Sequence, residues 1–122
     1  MALRCLIVDD NAGFREEVGG LLREQGIDVV ASAASGAEAL GQVARLAPDV
    51  VLVDIDLGAE SGLDLARELG ATGNGRPTAR VILISTHDER EYADLIAASP
   101  VVGFIAKADL TADAIHEVLS RD

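Results

Sequence analysis

Cysteine, histidine and lysine are scarce in this chain. Cys5 is the one cysteine among 122 residues, so no internal disulfide can form. Two histidines, His87 and His116, are too few and too far apart in sequence for a structural zinc site. Ten Lys and Arg stand against 21 Asp and Glu, a formal charge of −11. That shortage of cation excludes the counterion-displacing groove on which nucleic-acid affinity rests, so these residues are not expected to touch nucleic acid directly. No run approaches the roughly 18 apolar residues needed to cross a bilayer. The apolar start Leu6-Ile7-Val8 is broken by Asp9-Asp10 before a secretion signal could form. The expected location is cytoplasmic, without membrane contact. Nothing repeats at a period of about 20–50 residues, which removes solenoids. Chemistry must come from carboxylates, hydroxyls and one amine.

What is present suffices for one folded unit. With 49% hydrophobic residues, the chain can bury very roughly two-thirds of the surface it exposes when unfolded. Its length suits a single domain over 1–122. Five short apolar runs stand out: Leu3 to Val8, Ile27 to Ala33, Val50 to Val53, Val81 to Ile84 and Val101 to Ala106. Three of them are continuous and rich in β-branched residues, as in strands covered on both faces. Between the runs the spacing turns helical. Phe14, Val18, Leu21 and Leu22 share one stripe, which Gly26 ends. Ser35-Gly36-Ala37-Glu38 reads as a capping box ahead of Leu40, Val43, Ala44 and Ala47, with Pro48 as terminator. Leu63, Ala66 and Leu69 make a third stripe, Tyr92, Leu95 and Ile96 a fourth, and Ile115, Val118 and Leu119 a fifth. The stretch from Gly70 to Pro77 is a surface loop by composition.

Five strand and helix pairs in strict alternation predict an α/β fold, a doubly wound five-stranded parallel sheet of order 2-1-3-4-5 with helices on both faces. In that order functional groups collect beyond the carboxyl ends of the strands, near the reversal between the first and third. The first strand ends in Asp9-Asp10, the third in Asp54, the fourth in Ser85-Thr86, and the fifth just before Lys107, the only lysine. Three carboxylates at neighbouring strand ends repel one another unless a cation joins them. Magnesium, a hard ion that takes oxygen ligands and often combines one or two carboxylates with phosphate oxygens, meets that need. Adjacent aspartates also occur simply as a turn into a helix N-terminus, where negative charge is favoured. Asp54 is what points beyond that. Lys107 can reach a phosphate or carboxylate as a point charge, and Ser85 offers one hydroxyl donor. A solvated lysine and a helix-capping serine are the plain alternatives.

The strings LIVDDN, VVLVDIDLGAESGLDLAREL, VILIST and GFIAKADL resemble, over essentially the whole chain, the receiver domain of two-component response regulators, a flavodoxin-like (CheY-like) phosphoacceptor. They look most like receivers of the NarL/FixJ type, which precede helix-turn-helix output domains. The resemblance implies that Asp54 accepts a phosphoryl group from a phosphohistidine on a sensor histidine kinase. It implies that Asp10 binds Mg2+ directly, that Asp9 acts mainly through water, and that Asp54 and the backbone carbonyl of Asp56 complete the protein ligands. Ser85 and Lys107 would contact the phosphoryl group. Ser85 and Phe104 would form a switch that biases a surface of the fourth helix, fifth strand and fifth helix, with Tyr92, Ile96 and Val101 as candidates for that surface. Thr86 and His87 would border access to the acceptor. Ala108 follows Lys107 where many relatives have proline, so a cis peptide is not expected there. Gly58 stands where many carry proline, and Phe104 in place of tyrosine leaves packing as the means of switching.

Other readings stay open on the residues alone. Asp54-Ile55-Asp56-Leu57 after VVLV also looks like the Asp-x-Asp motif of haloacid-dehalogenase-like phosphatases. There, however, the acidic pair would follow the lysine and a cap domain would choose the substrate. A pseudo-receiver would keep the fold and bind partners without phosphorylation. A further reading makes the chain the N-terminal fragment of a DNA-binding transcriptional regulator. On the receiver reading it is no enzyme, though it assists its own phosphorylation and dephosphorylation. Its expected partners are the kinase, an output domain or effector protein, and a second copy of itself when phosphorylated.

Overall fold

In the computed structural model, which describes residues 2–70, 80–86 and 93–121, five strands form one parallel sheet. They are β1 (Arg4–Val8), β2 (Asp28–Ala33), β3 (Val50–Asp54), β4 (Arg80–Ser85) and β5 (Gly103–Ala106). Their order is β2-β1-β3-β4-β5, the doubly wound arrangement that the alternation of elements predicts. The connecting helices are α1 (Ala12–Glu24), α2 (Gly36–Leu46), α3 (Gly62–Gly70), α4 (Ala93–Ala97) and α5 (Ala112–Ser120). A two-residue hairpin, Asp56–Leu57 with Glu60–Ser61, bridges β3 and α3. A short 3-10 turn, Lys107–Asp109, follows β5.

Alternation along each strand divides the apolar side chains between two faces. Cys5, Ile7, Leu52, Ile82 and Ile84 pack with Val18 and Leu22 of α1 and with Ile115, Val118 and Leu119 of α5. Leu6, Val8, Val51, Val53 and Leu83 pack on the other face with Ala39 and Val43 of α2 and with Leu63, Ala66 and Leu69 of α3. β3 lies mid-sheet and is buried at every position. That explains why its sequence is an unbroken apolar run instead of an alternating one. Where α5 crosses β5 the approach is close, since a Cβ on Gly103 would come 2.5 Å from Val118 Cγ1.

Polar side chains fix the helix starts. Asn11 caps α1 by accepting from Phe14 N at 3.0 Å, Ser35 caps α2 from Glu38 N at 3.3 Å, and Thr111 caps α5 from Ala114 N at 3.1 Å. The box at Ser35 closes one residue early, with Glu38 Oε2 accepting from Ala34 N at 3.4 Å. Two stripe positions differ from expectation, because Leu21 is 39% and Leu40 38% exposed. Each helix buries a narrower stripe, Val18, Gly19 and Leu22 on α1 and Gly36, Ala39 and Val43 on α2. Ala44 is exposed, and Ala47 is the left-handed cap (φ 46°) before Pro48. β5 begins two residues after Val101, which packs partly buried against the second cluster together with Ile96. Gly70 closes α3, and the remainder of the loop to Pro77, with His87 and Tyr92, lies outside the described residues. Among the described residues β2 has a neighbouring strand on one side only. Its Val29 and Ser32 carbonyls accept side-chain hydrogen bonds from Arg23 Nη2 and Gln42 Nε2, both at 3.2 Å.

Candidate functional site

Strand register brings the predicted residues together. Val8 lies beside Val53, Asp54 beside Ile84, and Ser85 beside Ala106. Asp9 follows β1 directly, Asp54 and Ser85 close β3 and β4, and Lys107 follows β5. Lys107 Nζ lies 2.6 Å from Asp9 Oδ2 and 3.1 Å from Asp54 Oδ2. One carboxylate oxygen from each of Asp9, Asp10 and Asp54 lies within 4.8 Å of the other two. Asp9, Asp54 and Ser85 are buried, whereas Asp10 is exposed at the rim. Thr86, also exposed, comes directly after β4. Phe104 on β5 is partly buried against the second cluster.

The backbone orients the two buried carboxylates in the same way. Asp9 Oδ1 accepts from Asn11 N at 2.9 Å, and Asp54 Oδ1 accepts from Asp56 N at 3.0 Å. Each aspartate thus spends one oxygen on the amide two residues ahead, an Asx-type turn, and turns the other toward Lys107. Asp9 Oδ2, although close to Nζ, receives no directed hydrogen bond among the described residues. The ammonium meets it as a charge. Arg15 Nη1 donates to the Asp9 carbonyl at 2.6 Å, which further fixes the strand end. On the β3 side, a Cβ on Gly62 would fall 1.9 Å from the Asp54 carbonyl oxygen, so α3 can start this close only at glycine. Gly58 has φ +61° and faces Asp10 Oδ2, 3.0 Å from where its Cβ would be. Proline, fixed near φ −65°, could not make this turn. The departure at position 58 is therefore a matter of backbone shape.

Electrostatics leaves the pocket short of cation. Burial pushes the Asp54 carboxyl above its ordinary pKa, and the hydrogen bond and charge of Lys107 only partly oppose that shift. Burial pulls the Lys107 ammonium down, but its pairing with the Asp9 and Asp54 carboxylates more than offsets this and leaves it above its ordinary value. Three carboxylates face one ammonium, and Asp9 Oδ2 has acceptor capacity left over. An all-oxygen donor set with surplus negative charge suits a hard divalent cation.

Some participants escape a reading of the sequence. Phe14, placed on the apolar stripe of α1, also sets its ring under Lys107, with Nζ 4.3 Å from the centroid. Asn11 links Asp9 to the helix cap. Cap chemistry could have signalled Asn11. Nothing local could have signalled Phe14, whose partner is at the far end of the chain.

An acid pocket at the winding reversal of a five-stranded doubly wound sheet defines a class of α/β domains with ligand chemistry at the strand ends. Within that class, the sequence profile of the response regulator receiver domain matches residues 5–120, and the chain belongs to that family. The transcriptional regulatory protein DegU of Brevibacillus brevis is 30% identical over 118 residues, covering 96% of this chain and 48% of DegU. A protein-glutamate methylesterase/protein-glutamine glutaminase from Nocardioides sp. is 40% identical over 89 residues, 72% of this chain and 24% of that protein. The chain thus spans between about a quarter and a half of these curated relatives. The signal receiver domain of the response regulator NarL from Mycobacterium tuberculosis superposes with a TM-score of 0.81 at 30% identity, covering 98% of this chain and 95% of that one. A CheY-like receiver domain protein from Methanospirillum hungatei, 21% identical with a TM-score of 0.80, shares the fold. The chain is a response regulator receiver domain of two-component signalling. Receiver domains in general are not enzymes and interact with histidine kinases and output domains. Among the described residues no helix is long and apolar enough to cross a membrane.

Proposed function

We propose that Asp54 is the phosphoacceptor of a single receiver domain over 1–122, charged by a sensor histidine kinase in the cytoplasm. The observation that supports this most is the convergence of Asp9, Asp10 and Asp54 within 4.8 Å, facing the one ammonium, Lys107. Magnesium would be held by the carboxylates of Asp10 and Asp54 and the carbonyl of Asp56, with Asp9 acting through water. The exposure of Asp10 and the closure of Asp9 against Lys107 support that division. When bound, the ion would supply positive charge that offsets the negative charge of the carboxylates and of the transferred group.

The protein's own part is positioning and electrostatics. An Asp54 carboxylate oxygen attacks phosphorus in line, the P–N bond of the phosphohistidine breaks, and its electron pair stays with the imidazole. Lys107 neutralises charge on the transferred group, and Ser85 donates its hydroxyl to a phosphoryl oxygen. Thr86, exposed directly after β4, borders the entrance. Movement of Ser85 and Thr86 toward the phosphoryl group opens space for Phe104, whose displacement biases the surface of α4, β5 and α5. Its readers are an output domain, an effector or a second copy of the chain.

Labelling by acetyl phosphate with Mg2+ tests the assignment. We expect one phosphoryl group per chain and none on Asp54→Asn. Undiminished labelling of that variant overturns it. Steady hydrolysis of small phosphate esters would instead mark a phosphatase of the haloacid-dehalogenase kind, and a complete lack of uptake would mark a pseudo-receiver.

A further inference from the structure

We infer that Phe14 is a positioning residue for Lys107, its ring face forming the third wall of a cradle that holds the ammonium over the acid pocket. The contact stands on geometry, while its functional consequence rests on reading Asp54 as the phosphoacceptor. Nζ lies 4.3 Å from the ring centroid, well inside the reach of about 6 Å over which a ring quadrupole attracts a cation. The Lys107 side chain is only 14% exposed, so the ammonium is largely out of water, where such attraction is strongest. The other two walls are Asp9 Oδ2 and Asp54 Oδ2.

Those two walls differ from the ring in one respect. They are oxygens of the carboxylates that a divalent cation and a phosphoryl group would engage, and their hold on Nζ weakens as their charge is taken up. An aromatic face competes for neither. Phe14 therefore keeps Nζ in place through the step at which its ion pairs loosen. Its own placement is tied to the same pocket. Asn11 N donates to Asp9 Oδ1 at 2.9 Å, and Asn11 Oδ1 accepts from Phe14 N at 3.0 Å, so one residue sets both a carboxylate wall and the aromatic wall. The ring also packs against the α1 and α5 side of the core, which limits its swing.

Lys107 is the sole lysine, so its ε-methylene NMR signal needs no assignment. We expect that signal to be shifted upfield by the Phe14 ring current in the metal-free protein and to stay so through a magnesium titration. Phe14→Leu should return it to the random-coil position. In a second experiment, Phe14 is replaced by mono-, di- and trifluorophenylalanine, which keep the ring's shape and drain its negative face. Labelling by acetyl phosphate should fall stepwise to roughly one-fifth of the wild-type rate, while Phe14→Tyr labels near the wild-type rate. A wild-type methylene at the random-coil position overturns the contact. An unchanged rate across the fluorinated series overturns the positioning role. If the wild type takes no label, the phosphoacceptor reading fails by itself. The titration then decides, with a persistent upfield shift supporting the cradle and its loss on magnesium addition overturning it.

Discussion

The two ends of the sheet handle charge in opposite ways. At the amino ends, Arg4 N donates to Asp49 Oδ2, Asp49 N to the Arg4 carbonyl, and Arg4 Nη1 to the Ala47 carbonyl, all at 2.9 Å. Asp49 stays exposed. Water solvates its charge, and the latch adds little beyond ordinary hydrogen bonds. At the carboxyl ends Asp9 and Asp54 are closed off from water and share one ammonium. Desolvating such groups can cost more than pairing returns. The first end is built to stay shut. The second holds negative charge that the fold leaves unbalanced, and the Val, Leu and Ile side chains beneath it supply the stability that permits this.

The contrast can be broken by removing one charge at a time. Lys107→Ala leaves two buried carboxylates without their cation, and we expect a loss of about 3–5 kcal/mol in urea unfolding. Added Mg2+ should recover more stability in this variant than in the wild type. A loss no larger than that of an exposed pair would erase the distinction between the two ends. The wild type should show the same weakening at high pH. The raised Lys107 value means its contribution is complete below the ordinary lysine pKa and is lost as pH climbs through the folded value.

Asp54→Asn should have the opposite sign. The folded pKa of Asp54 lies above its ordinary value, so the group favours folding below the ordinary carboxylate pKa, and that contribution is lost as pH rises through the folded value. Its ionised form therefore costs stability at neutral pH, while Lys107 keeps Asp9 as a partner after the substitution. We expect a gain of about 1–2 kcal/mol at neutral pH, shrinking as pH falls toward the ordinary carboxylate range. Thermal melts across that interval measure it, and a gain independent of pH would refute the electrostatic cause. The smallest effect belongs to Asp49→Ala, about 1 kcal/mol or less, with labelling by acetyl phosphate unchanged.

Much of this was legible in the sequence because strand ends are a positional code. Asp9, Asp10, Asp54, Ser85 and Lys107 each follow or close an apolar run, and parallel topology puts such ends on one edge of the sheet. Helix faces were less legible. Leu21 and Leu40 keep helical spacing yet face solvent, because periodicity gives the direction of an apolar stripe but not how wide a face the sheet will cover. Val101 extends an apolar run without joining the β5 ladder, since burial and strand pairing are separate demands. Phe14 was legible as core and illegible as a neighbour of Lys107, a contact that exists only once β1 and β5 are both in place.

The side chains that lie along β2 have a further effect. Arg23 and Gln42 already occupy the Val29 and Ser32 carbonyls on the sheet's margin, so a foreign extended segment arriving there finds two of its acceptors taken. Edge-to-edge growth of such pairings into ribbons is thereby discouraged along this margin.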